Sequence, residues 1–143
     1  MTNATYETGL DLWTRWTHMW NGRPSLAREL VAPQFVLHLP LPAQVDASAV
    51  VDPAAVERWV TAHCAKFTSL AFRYEAGPYV DTVAGVVAGP WVADAAVAGV
   101  PRLVCGMDII AFRDGKITEY WTVGKDVEAV GAWITPGRAS RAA

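Results

Sequence analysis

Along this chain the spacing of hydrophobic positions changes character near Ser69, dividing it into helices first and strands afterwards. Between residues 4 and 21, apolar groups fall at Tyr6, Leu10, Trp13, Trp16 and Trp20, close to an i, i+3, i+7 spacing. That is one face of an amphipathic helix, and Asn21-Gly22 is where it should end. Pro24-Ser25 opens a short second helix, "SLARELV", which should stop before Pro33. Residues 34–39, "QFVLHL", read as a strand closed by Pro40 and Pro42, with a loop following to residue 51. Asp52-Pro53 offers an N-cap and then a proline at the first helical position. Beyond it, Val56, Trp59, Val60, His63 and Phe67 share one side of a third helix.

After Ser69 the period becomes two. Leu70, Phe72 and Tyr74 alternate with Ala71, Arg73 and Glu75, which predicts a half-buried strand over 70–80. A turn at 81–85, a strand over 86–95 disturbed by Gly89-Pro90, and a turn at 96–101 follow. Two long strands, 102–113 and 116–124, then fold back around Asp114-Gly115. The last residues, 135–143, are expected to be a disordered tail, leaving one domain over 1–134. Helices first and an antiparallel meander last predict the α+β class. The expected form is a cone-shaped, curved antiparallel sheet with the N-terminal helices closing its concave face, an α+β barrel. Such a cone leaves a pocket between helix and sheet.

Composition narrows the function classes. With 52% hydrophobic and 18% charged residues, the 143-residue chain is globular rather than disordered. A net charge of −2 with no run of Lys or Arg argues against nucleic acid and anionic membrane as partners. The N-terminal residues lack a basic start and an apolar run, and no uncharged stretch is long enough to span a bilayer, so a cytoplasmic location is expected. Cys64 and Cys105 make neither a disulfide framework nor a zinc site and are expected to be buried thiols. Seven tryptophans point to a thick aromatic core, an aromatic-lined cavity, or both.

The strand pair "DIIAFRDGKITEYW" resembles the closing hairpin of the nuclear transport factor 2-like superfamily, particularly its SnoaL-like branch. That branch typically ends with an acidic-Gly-Lys-Ile turn followed by Glu, His and Trp, and the element order is similar over residues 6–125. This fold hosts isomerases, cyclases, dehydratases, epoxide hydrolases and non-enzymes. The resemblance implies that Asp108 stands where ketosteroid isomerases place the acid that donates to an oxyanion. It implies that His38 stands about where they keep a general base, and Trp16 near their oxyanion-binding Tyr. The chain departs from its relatives in two places. Thr122 occupies the position where SnoaL-like cyclases often carry a catalytic acid, and 86–96 offers only Asp94 where limonene epoxide hydrolases need an Arg and an Asp. Epoxide hydrolysis, and aldol cyclisation by the usual acid, are demoted accordingly.

Alternation groups Asp108 with Val104, Gly106, Ile110 and Phe112, against Leu103, Cys105, Met107, Ile109 and Ala111. Both sets are apolar, so the strand should be covered on both faces, and desolvation should raise the Asp108 pKa toward a neutral hydrogen-bond donor. The other reading makes Asp108 an acid near a sheet edge or dimer contact, paired with Arg102 or Arg73. His38 alternates with Val36 and Pro40, opposite Phe35, Leu37 and Leu39. It is either a base for a proton next to a carbonyl or a satisfied core imidazole, and contact with Asp108 would make an ion pair. The resemblance turns Tyr120 inward with Thr118 and Thr122, leaving Glu119 and Trp121 for the outer sheet and a back-to-back homodimer.

The catalytic candidates are thus His38 and Asp108. Trp13, Trp16, Trp20, Trp59, His63, Phe72, Ile110, Tyr120 and Thr122 are the expected substrate-binding residues. Within the third helix, Trp59, His63 and Cys64 read as core or pocket wall rather than catalysts. No phosphate loop, nucleotide fingerprint or metal triad is visible, so neither cofactor nor metal is expected. The expectation is a cofactor-free isomerase, cyclase or dehydratase moving protons on a small, apolar, carbonyl-bearing molecule. Its alternatives are a non-catalytic small-ligand-binding protein of the same fold and a dimerisation module whose pocket is filled by its own tryptophans.

Overall fold

The computed structural model describes residues 4–40, 43 and 45–126. The tail expected at 135–143 lies outside the described residues, as does Trp133. Helix α1 runs Tyr6–Trp20, and Thr5 caps it by accepting from the Thr8 amide at 3.0 Å. A 3₁₀ turn, Pro24–Leu26, leads into the single-turn α2, Ala27–Leu30. The helix α3 spans Pro53–Cys64, with the Asp52 carboxylate accepting from the Ala55 amide at 2.8 Å. It stops before Phe67, earlier than the apolar spacing predicts.

The strands are β1 Val31–His38, β2 Ser69–Tyr74, β3 Tyr79–Asp81, β4 Val86–Val97, β5 Val100–Arg113 and β6 Lys116–Asp126. They form one sheet in the order β1-β6-β5-β4-β2, with β3 also paired to β4. The cone-like α+β fold is present, but the sheet is mixed and open. Strand β1 lies parallel to β6, which only a long crossover permits, here the whole of α3, β2, β3, β4 and β5. Pro33 falls inside β1, not before it; β1 is an edge strand paired on one side only, so a missing N–H is tolerated there.

The strands depart from the expected pattern in two places. The predicted strand over 70–80 is two strands, β2 and β3, which pair with different stretches of β4. Gly89-Pro90 falls in the gap between those stretches, since β3 covers Val86–Ala88 and β2 covers Trp91–Ala96. Proline therefore sits where one side of β4 has no ladder to break, and the strand continues through it. The β5–β6 hairpin turns at Asp114-Gly115 with φ of +52° and +74°, the doubly left-handed turn that matches strand twist.

The helices among the described residues cover one face of the sheet. On β5, Asp108, Ile110 and Phe112 are buried beneath them, whereas Leu103, Met107 and Ile109 are 38%, 47% and 40% exposed. The expectation that β5 is covered on both faces does not hold among the described residues, none of which forms a layer on its outer side. Cys105 belongs to that outer row and is exposed, and Cys64 is half-buried, so neither is the buried thiol expected. The core lies between α1 and the sheet, with Leu12, Trp13, Trp16 and Met19 at most 2% exposed. Each such side chain contributes about 1.5–3 kcal/mol of burial. Among the described residues no helix is long and apolar enough to cross a membrane.

Candidate active site

The tryptophan stripe of α1 is held over the sheet by polar tethers to β2. The Tyr74 hydroxyl donates to the Trp13 carbonyl at 3.1 Å and also bonds the Thr17 hydroxyl. One turn on, Asn21 closes a two-way bond with the backbone of Phe72: its Oδ1 accepts from the amide at 2.7 Å and its Nδ2 donates to the carbonyl at 3.0 Å. The side chain thereby stands in for a neighbouring strand at the sheet edge. Between helices and sheet lies a cavity of about 420 Å³, within the range of small-molecule sites. Trp13, Trp16 and Trp20 form its α1 wall; Trp59 and His63 come from α3; Trp91, Asp108, Tyr120 and Thr122 come from the sheet. Leu39, Pro40, Ala43, Lys66, Phe67, Phe72 and Tyr74 are also among the lining residues.

Asp108 is the buried charged residue of the described core, 7% exposed. Strand register explains its partners. Thr122 lies directly opposite on β6 and donates its hydroxyl to Oδ1 at 2.7 Å. From the other side, Trp91 Nε1 donates to the same oxygen at 2.8 Å, and Tyr120 supplies a third hydrogen bond. Trp91 can reach because its cross-strand row reads Trp91, Gly106, Gly124 over β4, β5 and β6. A Cβ on Gly124 would lie 2.7 Å from the Trp91 ring, and one on Gly106 would lie 2.8 Å from another of its atoms. The two glycines let the indole lie across both strands.

Electrostatics follow from this burial. Desolvation raises the Asp108 pKa to about 6, opposed by the hydrogen bonds from Thr122, Tyr120 and Trp91. About one molecule in ten therefore carries the proton at pH 7. Burial, and then the neighbouring Asp108 carboxylate, push Tyr120 well above its ordinary value, so its phenol stays a donor. Trp16 packs edge-on against Tyr120, ring centres 4.7 Å apart, and helps offset that shift although its indole N–H does not reach hydrogen-bond geometry. The indole N–H groups of Trp13 and Trp20 likewise find no hydrogen-bond acceptor among the described residues. They are packed against rings, with Trp20 edge-on to Trp59 at 5.1 Å and Trp13 tilted on Tyr74 at 5.5 Å.

Of the two catalytic candidates, the structure puts only Asp108 at the cavity. His38 is on the far side of the sheet: its Nε2 bonds the Glu119 carboxylate at 2.5 Å and its ring stacks on Trp121, 4.6 Å away and 4° from parallel. Phe35 and Leu37 take the inward positions of β1, and strict alternation sends His38 out. The expected His38–Asp108 partnership is therefore replaced by a His38–Glu119 pair. Asp108 does not join Arg73, which pairs with Asp94 and Glu75, nor Arg102, six residues along the same strand and so about 20 Å away. Ile110 is fully buried core and absent from the cavity lining, while Trp13, Trp16, Trp20, Trp59, His63, Phe72, Tyr120 and Thr122 all reach it. Sequence reasoning missed Trp91 and Tyr74. The signal for Trp91 was a pair of glycines in adjacent strands, which become its partners only once the register is known.

A profile of the SnoaL-like domain matches residues 13–120, which takes in both helical walls and the Asp108 strand. The chain belongs to the SnoaL-like family. A loop-truncation variant of IdmH has 27% sequence identity and a TM-score of 0.67, over 82% of this chain and 92% of that one. Wild-type IdmH from Streptomyces antibioticus, provisionally classed as a polyketide cyclase, has 25% identity and a TM-score of 0.66, over 82% and 91% of the two chains. A protein from Acidithiobacillus ferrooxidans with the same provisional description is 19% identical with a TM-score of 0.69, over 87% and 92%, a likeness of fold. No curated protein matches the sequence. Within this SnoaL-like chain, Thr122 in place of an acid has a visible role: it is a hydrogen-bond donor to Asp108.

Proposed function

We propose that this SnoaL-like protein is a cofactor-free acid–base enzyme acting on a small, flat, carbonyl-bearing molecule, with Asp108 as a proton-transferring group. One observation carries the reading: a buried carboxyl on the wall of an aromatic cavity, gripped by Trp91, Thr122 and Tyr120 and titrating about 6. A group with a pKa near the working pH both accepts and returns protons. Tyr120, kept protonated, donates to oxygen while the charge moves. Tryptophan faces on three sides suit a planar apolar ligand. Isomerisation, cyclisation and dehydration next to a carbonyl all need this step, and the SnoaL-like neighbours support a reaction of that class.

The same reading has the protein working as a homodimer through the apolar outer face of the sheet, where Met107, Ile109 and Val123 are 47%, 40% and 41% exposed around Trp121. The catalytic proposal is tested with 2-tetralone in D₂O, following exchange of its α-hydrogens by NMR. Wild-type protein should accelerate exchange, and Asp108→Asn should lower the rate by a factor of about ten to a thousand. A wild-type protein that binds the planar alcohol 2-naphthol, read by tryptophan quenching, yet exchanges no faster than buffer is a binding protein instead.

A further inference from the structure

The cavity holds a second titratable side chain that no side chain among the described residues hydrogen-bonds. His63 lies on the last turn of α3 and lines the cavity on the wall opposite the sheet. Its ring is edge-on to Trp20, centres 5.6 Å apart at 89°, and 5.5 Å from Phe67. Among the described residues no side chain hydrogen-bonds its ring nitrogens. The contrast with His38 is direct: that imidazole is engaged by Glu119 outside the sheet, whereas His63 is wedged between aromatic rings inside the pocket. Burial first, and then the Lys66 ammonium, hold its pKa below the ordinary histidine value. The imidazole is therefore neutral at pH 7, with a nitrogen able to accept a proton.

We infer that His63 is the base of this site, working across the cavity from Asp108. This rests on the acid–base reading above and extends it to a two-group mechanism. A neutral His63 nitrogen removes a proton from the carbon next to the substrate carbonyl. The C–H electron pair becomes the C=C bond of an enol, and the carbonyl oxygen takes the proton of a neutral Asp108 while Tyr120 donates a hydrogen bond. Ketonisation reverses the flow: the enol O–H returns its proton to Asp108, and imidazolium delivers a proton to carbon. Atoms and charges balance, and no further reactant enters. His63 loses its function when protonated and Asp108 loses its function as an acid when ionised, so exchange should fall on both sides of an optimum. The other titratable groups facing His63 across the cavity are Lys66 beyond its own helix and Tyr74 and Tyr120 from the sheet; α1 presents uncharged Trp13, Trp16, Thr17 and Trp20.

The test uses 2-tetralone exchange in D₂O with wild-type protein, His63→Gln, His38→Gln and Lys66→Met, and 2-naphthol binding to each. His63→Gln should slow exchange about 100-fold or more while 2-naphthol affinity changes by less than about threefold. His38→Gln should exchange as wild type does. Lys66→Met, an exposed position that leaves the core intact, removes a positive charge beside the imidazole and should move the acid limb of the pH profile upward. Exchange by His63→Gln at the wild-type rate, or an acid limb unmoved in Lys66→Met, overturns the assignment of His63 and leaves Asp108 as the proton carrier. Absence of exchange in the wild type itself overturns both readings.

Discussion

Replacing Asp108 by Asn should stabilise the protein, and by an amount that depends on pH. The wild-type carboxyl has a pKa raised from 3.8 to about 6, desolvation being the largest cause. Because the folded-state value is the higher one, the native state holds the proton more tightly than the unfolded chain. The stabilising contribution is complete below the unfolded pKa, near 3.8, and is lost as pH rises through about 6. A displacement of about two pKa units corresponds to about 3 kcal/mol between the two limits. Asparagine keeps the shape and an oxygen to accept from Trp91 and Thr122, and it never ionises. At pH 8 the variant should therefore gain up to about 3 kcal/mol, or about 10 °C in Tm for a chain of this length. At pH 4.5 the wild-type residue is protonated in the native state, and about 2 kcal/mol of that advantage should vanish. Urea denaturation of both proteins at the two pH values measures the difference, and other titrating groups cancel between them. An advantage equal at both pH values, or no advantage at pH 8, would refute the raised pKa and mean that three donors hold the carboxylate comfortably.

Trp91→Phe keeps the ring but removes the N–H that favours the Asp108 carboxylate, so the Asp108 pKa should rise further above 6; ¹³C NMR titration of the side-chain carboxyl reads it. Gly106→Ala places a Cβ against the Val123 carbonyl and the Trp91 ring and should destabilise by about 1–3 kcal/mol in denaturant melts, with a shift in tryptophan emission. An unchanged melt would mean that Trp91 is not seated across the glycines. Trp121→Lys puts a charge into the outer apolar face and should shift a dimer toward monomer in size-exclusion chromatography; a wild-type monomer at micromolar concentration ends that expectation.

Local chemistry decided much of this protein before any tertiary contact. Asp52-Pro53 announces the start of α3, Asp114-Gly115 supplies the two left-handed residues of the hairpin turn, and alternation groups Asp108 with Ile110 and Phe112 on one face. The same alternation had already set His38 against Phe35 and Leu37. Burial of that apolar pair turns His38 to the outside, so the strand pattern was a better guide to it than family resemblance. What the chain could not express locally is pairing between distant residues. The parallel β1–β6 contact, the gap in the ladder that admits Pro90, and the union of Trp91 with Gly106 and Gly124 each depend on the register of strands far apart in sequence. Register is set by which faces the whole core buries and not by local propensity, so it exists only after the strands have met. Hence the sequence set Asp108 among apolar residues, and the fold decided between a buried acid and an edge acid paired with arginine. The indole and hydroxyl that hold it, and the placing of His63 across the cavity, came with the fold.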